Sequence, residues 1–391
     1  MHSCNACNKR ASHYPSARWN SPKRREFLAM IAGLGAASPF AAGLLKAQPP
    51  PASNPVRQEW LDLRKEPVLK PSLPIIDPHH HLWVRGAWRY LIDELLADTG
   101  SGHNIVATVF VQARSMERDS GPVEMRPVGE TEFVNGVAAM CASGYCGKTR
   151  MAAGIVGQAD LRLGHRAEPV LTALMRAGGD RFRGIRHITA WDADTSLNNP
   201  AYPAGPGLLG DKTFREGFAL LGKHGLSFDA WLYHPQIGEL GDLAGAFPGT
   251  RIVLNHCGGP IGSGAYQGKR VEVFPKWQAS IKALAAHPNV FVKVGGLGQA
   301  INGIGLNDLT EPPSSEVLAS TFRPYVETCI EAFGAARCMF ESNFPVDKVS
   351  YSYPVFWNAC KLLAKNASQS EKADLFSATA ARFYRLTGVA I

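Results

Sequence analysis

The apolar positions of this chain fall into short runs separated by longer stretches with helical spacing. Strand-like runs cover residues 73–77, 105–111, 152–156, 183–188, 227–232, 251–255, 290–294 and 338–341. Several are apolar with little alternation, as expected of parallel strands buried on both faces. Between them the period lengthens. Phe214, Phe218 and Leu221 recur at i, i+4, i+7 within 213–223, and Trp277, Ile281 and Leu284 do the same within 275–286, each marking one face of a helix. Eight such strand–helix units predict an α/β fold, a (β/α)8 TIM barrel rather than a doubly wound sheet. Residues 298–315, rich in Gly and Pro, predict a long loop after the seventh strand, on the face where barrels carry their active sites and where a lid would sit.

Three segments follow from composition. Residues 1–47 hold seven Lys/Arg and one acid, so the formal charge of +8 falls to +2 in the remainder, where 34 basic face 32 acidic residues. Ser21-Pro22-Lys23-Arg24-Arg25-Glu26-Phe27-Leu28 resembles a twin-arginine export motif, and the weakly apolar run behind it ends at Leu45-Lys46-Ala47. Gly33, Gly35, Pro39 and Gly43 make that run a poor membrane helix. The expectation is a cleaved twin-arginine-type signal, a periplasmic protein and no lasting membrane anchor. Residues 48–74, with several prolines, read as an extended arm, and 75–391 as the barrel. The remainder has no basic stripe interleaved with aromatics, which argues against nucleic acid as a partner. Among the eight cysteines, buried free thiols are the expectation, and export would permit a Cys141–Cys146 bridge.

Candidate chemistry gathers at the predicted strand ends. The first reads Ile75-Ile76-Asp77-Pro78-His79-His80-His81-Leu82-Trp83, where alternation would turn Asp77, His79 and His81 to one face and His80 to the other. Later strands end in Gln112-Ala113-Arg114, Arg186-His187, Tyr233-His234, Asn255-His256 and Glu341-Ser342-Asn343-Phe344-Pro345-Val346-Asp347. Imidazoles so placed can hold a metal or grip a substrate oxygen. Arg114, Arg183 and Arg186 are candidate forks for a substrate carboxylate, with His187, Tyr233 and Trp83 as further binding residues. Lys293, inward on strand seven, is expected to pair with Glu341 beneath the site.

The segments IIDPHHHLW, VFVQAR, GIRHITAWD, DAWLYHPQ, RIVLNHCGGP, VFVKVGGLG and CMFESNFPVDK together resemble the amidohydrolase superfamily, in the amidohydrolase-related branch that includes lactonases and decarboxylases. The resemblance implies catalytic roles for His79, His81, His234 and His256. The family carries an aspartate after strand eight, where this chain has Asn343. An asparagine cannot take a proton from water, so Glu341 or Asp347 becomes the candidate replacement base. The departure counts against a binuclear centre and leaves one zinc on His79, His81 and His234, or no metal. The implied activity is water opening a lactone of a small acidic molecule, with the imidazoles polarising the carbonyl. Alternatives are a mononuclear metal-dependent amidohydrolase or decarboxylase, and a barrel that only binds a ligand.

Overall fold

In sequence order the strands are β1 (Ile75–His80), β2 (Ile105–Val111), β3 (Arg150–Gly157), β4 (Phe182–Ile185), β5 (Ser227–Ala230), β6 (Ile252–Leu254), β7 (Val290–Gly295) and β8 (Cys338–Glu341). Each pairs in parallel with the next, giving one eight-stranded sheet in a computed structural model that describes residues 54–389. The expected export signal, residues 1–47, and the first residues of the arm lie outside the described residues. Helices α1 (Ile92–Thr99), α2 (Pro127–Ala142), α3 (Glu168–Gly178), α4 (Lys212–Lys223), α5 (Ile237–Ala246), α6 (Arg270–Leu284), α7 (Ser315–Phe333) and α8 (Tyr353–Leu363) follow the strands in turn. This is the (β/α)8 barrel that the periodicity predicts. The helix with Trp277 starts earlier than predicted, at Arg270. Pro275 lies inside it and withholds an N–H from the carbonyl of Val271, a residue open to water.

The seam between first and last strands closes above their ends. The Asn343 N–H donates to the His79 carbonyl at 3.0 Å and the His81 N–H to the Phe344 carbonyl at 2.8 Å. Asp77 stitches the same seam. Its carboxylate accepts from the Ser342 N–H (3.0 Å), the Ser342 hydroxyl (2.6 Å) and the Tyr353 hydroxyl (3.0 Å). Burial outweighs these bonds and pushes its pKa up to about 6. Asp77 therefore does not share a face with His79 and His81. The β1–β2 register shifts between Asp77 and His80, which breaks simple alternation and sends Asp77 toward α8. His80 faces outward as expected, within 2.9 Å of the Thr108 hydroxyl, and burial holds its pKa near 3.

Two apolar layers result from strand alternation. Outward residues such as Ile105 and Phe110 join the large core beneath the helices. Inward residues Ile76, Ala107, Val109, Val111, Val156, Val253 and Met339 fill the barrel, and Ala380, Phe383 and Tyr384 of the C-terminal helix Thr379–Tyr384 plug its floor. The arm is not fully extended. It contains a short helix, Gln58–Leu61, and is tied to the loop after β7: Trp60 Nε1 donates to the Thr310 carbonyl and Arg64 Nε to the Pro312 carbonyl. Cys141 and Cys146 form a disulfide, while Cys257, Cys329, Cys338 and Cys360 are free and buried. Among the described residues no helix is long and apolar enough to cross a membrane.

Just above the apolar filling lies a buried ion pair, and it is not the expected one. Lys293 Nζ donates to Asp229 Oδ2 (2.7 Å) and to the Pro78 carbonyl (2.8 Å), while Tyr384 and Asn255 also donate to Asp229. The register explains the change of partner. Lys293 lies beside Met339, whereas Glu341 lies beside Gly295, one layer nearer the mouth. Removing one partner of a fully buried pair strands the other charge. Lys293→Ala is expected to lower unfolding free energy by about 3–5 kcal/mol, with much of it recovered in Lys293→Met/Asp229→Leu, as measured by urea titration.

Candidate active site

The residues at the mouth are set by one buried carboxylate. Glu341 ends β8, and its Oε1 accepts from the His256 N–H at 2.9 Å and from His256 Nδ1 at 2.8 Å. Its Oε2 lies 2.6 Å from His79 Nδ1 without an aligned hydrogen bond. His256 has left-handed backbone (φ 55°), and its ring fills the space over Gly296, where a Cβ would fall 2.1 Å from Nδ1. Any side chain at position 296 would displace that imidazole. The ring centroids of His79 and His256 are 4.6 Å apart, and those of His79 and His81 are 5.0 Å apart.

Hydrogen-bond partners decide where the protons sit. His256 gives its Nδ1 proton to Glu341, and His81 Nδ1 donates to the Val111 carbonyl at 2.7 Å. His79 meets a cationic donor at each ring nitrogen, Arg186 at Nε2 (3.3 Å) and the Lys293 ammonium at Nδ1 (3.2 Å), with Glu341 Oε2 also beside Nδ1. Burial lowers the pKa of all three from the ordinary imidazole value, helped by Lys293 at His79 and Arg186 at His81, while Glu341 partly opposes it at His256. His81 and His256, each donating through Nδ1, thus keep Nε2 lone pairs at the mouth.

A cavity of about 250 Å³ opens above them. Its walls carry the rings of Trp83, Trp88, Tyr202, Trp231 and Tyr233, the guanidinium groups of Arg85 and Arg186, and the polar groups of His81, His256 and Asn343; none of its lining residues is acidic. Asn343, also left-handed (φ 56°), gives its Nδ2 proton to Asp347 and leaves Oδ1 without a partner. Asp347 is fully buried behind it and also accepts from the Gly298 N–H and the Tyr351 hydroxyl. Burial pushes its pKa up to about 7 against those three donors. With its oxygens so occupied, Asp347 fixes the Asn343 amide rather than lining the cavity.

Four sequence-predicted residues lie elsewhere. His234 opens a turn after β5, accepts the Ile261 N–H at Nδ1 (3.3 Å) and packs against Tyr266; the inward position belongs to Trp231, 4.6 Å from the His256 ring. His187 faces outward because Arg186 faces inward, and it accepts the Leu161 N–H while packing on Phe214. Arg114 is at the rim, donating to the Ala201 carbonyl and lying over Tyr202. Arg183 sits at the far end of β4. Tyr233 and Trp83 do line the cavity, the former with its hydroxyl bound to the Leu197 carbonyl at 2.5 Å and the latter stacked on His81. Sequence reasoning missed the hairpin Trp83–Arg85/Trp88–Tyr90, which supplies Arg85 and Trp88. Its signal was Gly86 (φ 58°) between two short alternating runs.

A family model described as amidohydrolase matches residues 76–386. The chain belongs to the amidohydrolase family. An uncharacterized protein of Sinorhizobium fredii is 34% identical over 340 residues, 81% of this chain and 99% of that one. An L-fucono-1,5-lactonase of Burkholderia multivorans is 27% identical, covering 80% of this chain and 96% of its own. A solved amidohydrolase from Burkholderia multivorans with bound zinc superposes with a TM-score of 0.62 at 25% identity, over 80% of this chain and 99% of that one. This amidohydrolase is a hydrolase acting on a small molecule.

The donor chemistry of the mouth fits a divalent cation. Among the described residues, His79, His256 and Glu341 bring potential ligand atoms within 4.8 Å of one another. Metal-binding histidines commonly give their second N–H to a carboxylate or carbonyl, as His256 and His81 do here. The groups that would hold it are His79, His256 and Glu341, with the His81 ring beside His79. His234 is not among them. Zinc titration of metal-stripped protein is expected to show one site, weakened about tenfold or more in His81→Ala and His256→Ala and unchanged in His234→Ala, by calorimetry.

Proposed function

We propose that this hydrolase opens a lactone or similar cyclic ester of a small acidic molecule by attack of water at the barrel mouth. The observation that carries the reading is the Glu341–His256 pair at a cavity with no lining acid. His256 Nε2 takes the proton of the attacking water, and Glu341 stabilises the imidazolium that forms. Asn343 Oδ1, held by the bond from Nδ2 to Asp347, accepts the second proton of that water as a hydrogen bond. Arg186, buried and fixed by the Gln112 carbonyl and His79, carries the charge that develops on the carbonyl oxygen. The proton on His256 then passes to the departing ring oxygen and yields a hydroxy acid.

This reading reverses one expectation. Imidazoles with Nε2 lone pairs accept protons, so they serve as base and supports rather than as oxyanion donors. A divalent cation held on His256 Nε2 would take the lone pair the base needs, so in that state His256 would be a ligand and the cation would polarise the carbonyl and acidify water. The 27% identity to an L-fucono-1,5-lactonase supports a lactone substrate. Export by residues 1–47 to the periplasm belongs to the same proposal, supported by the Cys141–Cys146 bridge, since disulfides persist in oxidising compartments.

Turnover of a lactone panel tests the reading, and hydrolysis of none of them by the purified protein would overturn it. His256→Ala and Glu341→Gln are each expected to lower kcat by about 10²–10⁴. The pH profile has a defined sign. The base must be neutral, and burial lowers His256 below the ordinary 6.5, so kcat/KM stays level through neutral pH and falls only below pH 6.5.

A further inference from the structure

The hairpin after β1 contributes more than a wall. Arg85 lies 4.0 Å over the Trp83 ring and gives one N–H to the Ala113 carbonyl at 2.5 Å, while its charge meets no carboxylate among the described residues. Trp83 is only 1% exposed, yet its indole N–H has no acceptor, and the indole N–H of Trp88 has none either. The two indoles meet edge to face at 4.8 Å, and both line the cavity with Arg85. A buried donor without an acceptor is costly, and native structures rarely leave two together without a ligand or water to satisfy them. One guanidinium and two indole donors ask for a group with several acceptor lone pairs and a negative charge.

Arg186 is not available for that purpose, because it is bonded to the Gln112 carbonyl and faces His79 beside the reacting centre. The cavity therefore holds two separate cations and no lining acid to neutralise either. At about 250 Å³ it is smaller than the usual range for drug-sized ligands, roughly 300–1,000 Å³, and suits one ring with short substituents.

We propose that Arg85, Trp83 and Trp88 form a carboxylate-binding subsite, so that the preferred substrate is a single-ring lactone bearing an acid group away from the scissile bond. The proposal rests on the lactone-opening reading and deepens it. In this arrangement Arg85 acts on binding and Arg186 on the transition state, so their variants separate KM from kcat.

The test compares 5-oxotetrahydrofuran-2-carboxylate with its carboxamide, the same lactone ring with and without the charge. Wild type is expected to favour the acid by about tenfold or more in kcat/KM. Arg85→Met keeps an apolar stem over Trp83; it should raise KM for the acid by about tenfold, leave kcat within about threefold and leave the carboxamide unaffected, with Arg85→Lys in between. Equal handling of acid and amide, or an equal effect of Arg85→Met on both, would overturn the subsite and leave Arg85 a structural brace. A second arm needs no turnover: calorimetry with 2-furoate and 2-furamide. Binding of furoate alone, lost in Arg85→Met, supports the subsite even if no lactone is hydrolysed, in which case only the lactone reading falls. Absence of furoate binding together with indifference to charge in turnover removes the subsite.

Discussion

A single buried carboxylate sets the geometry of this barrel's mouth. Glu341 has no contact with water, and it is tolerable there because two imidazoles and a backbone N–H surround it. The dependence runs both ways. The histidines hold the charge in the protein, and the charge fixes which nitrogen of His256 carries the proton. His79 comes from β1, across the seam from β8, and His256 from the turn after β6, two strands away on the other side. Their meeting therefore requires the β1–β8 seam, which Asp77 secures through Ser342 and Tyr353.

Charge is sorted by depth. At the bottom Lys293 and Asp229 neutralise each other, with Tyr384 and Asn255 donating to the acid. One layer higher Glu341 is matched by imidazoles, and beside it three donors surround Asp347. At the surface of the cavity the excess is positive, with two guanidinium groups and no lining acid. A site that leaves positive charge and donors unmatched is preorganised for an anion made by the reaction or brought by the substrate.

Much of this was legible in the sequence, and the failures have a common cause. Apolar runs and helical spacing located all eight strands, because a buried parallel strand shows in composition alone. His79, His81, His256, Arg186 and Asn343 were found because they lie on or next to strand ends. His187 follows the inward Arg186 directly and His234 lies three residues past the inward Trp231, in the turn after β5, so both fall out of phase with the interior. Asp77 was misjudged because a register shift is invisible to alternation. The partner of Lys293 depended on a β7–β8 register that no single strand encodes. The hairpin was overlooked because its runs are three residues each, below the length at which periodicity carries information.

The floor plug has a consequence for how the barrel closes. Ala380, Phe383 and Tyr384 fill the inner apolar layer, and Tyr384 reaches Asp229 beneath the ion pair. They belong to a helix that follows β8, so the sheet does not seal its own interior. Without that helix the inner layer is open to water from below and Asp229 lacks its phenolic donor. The dryness of the interior is a joint property of the closed sheet and its plug.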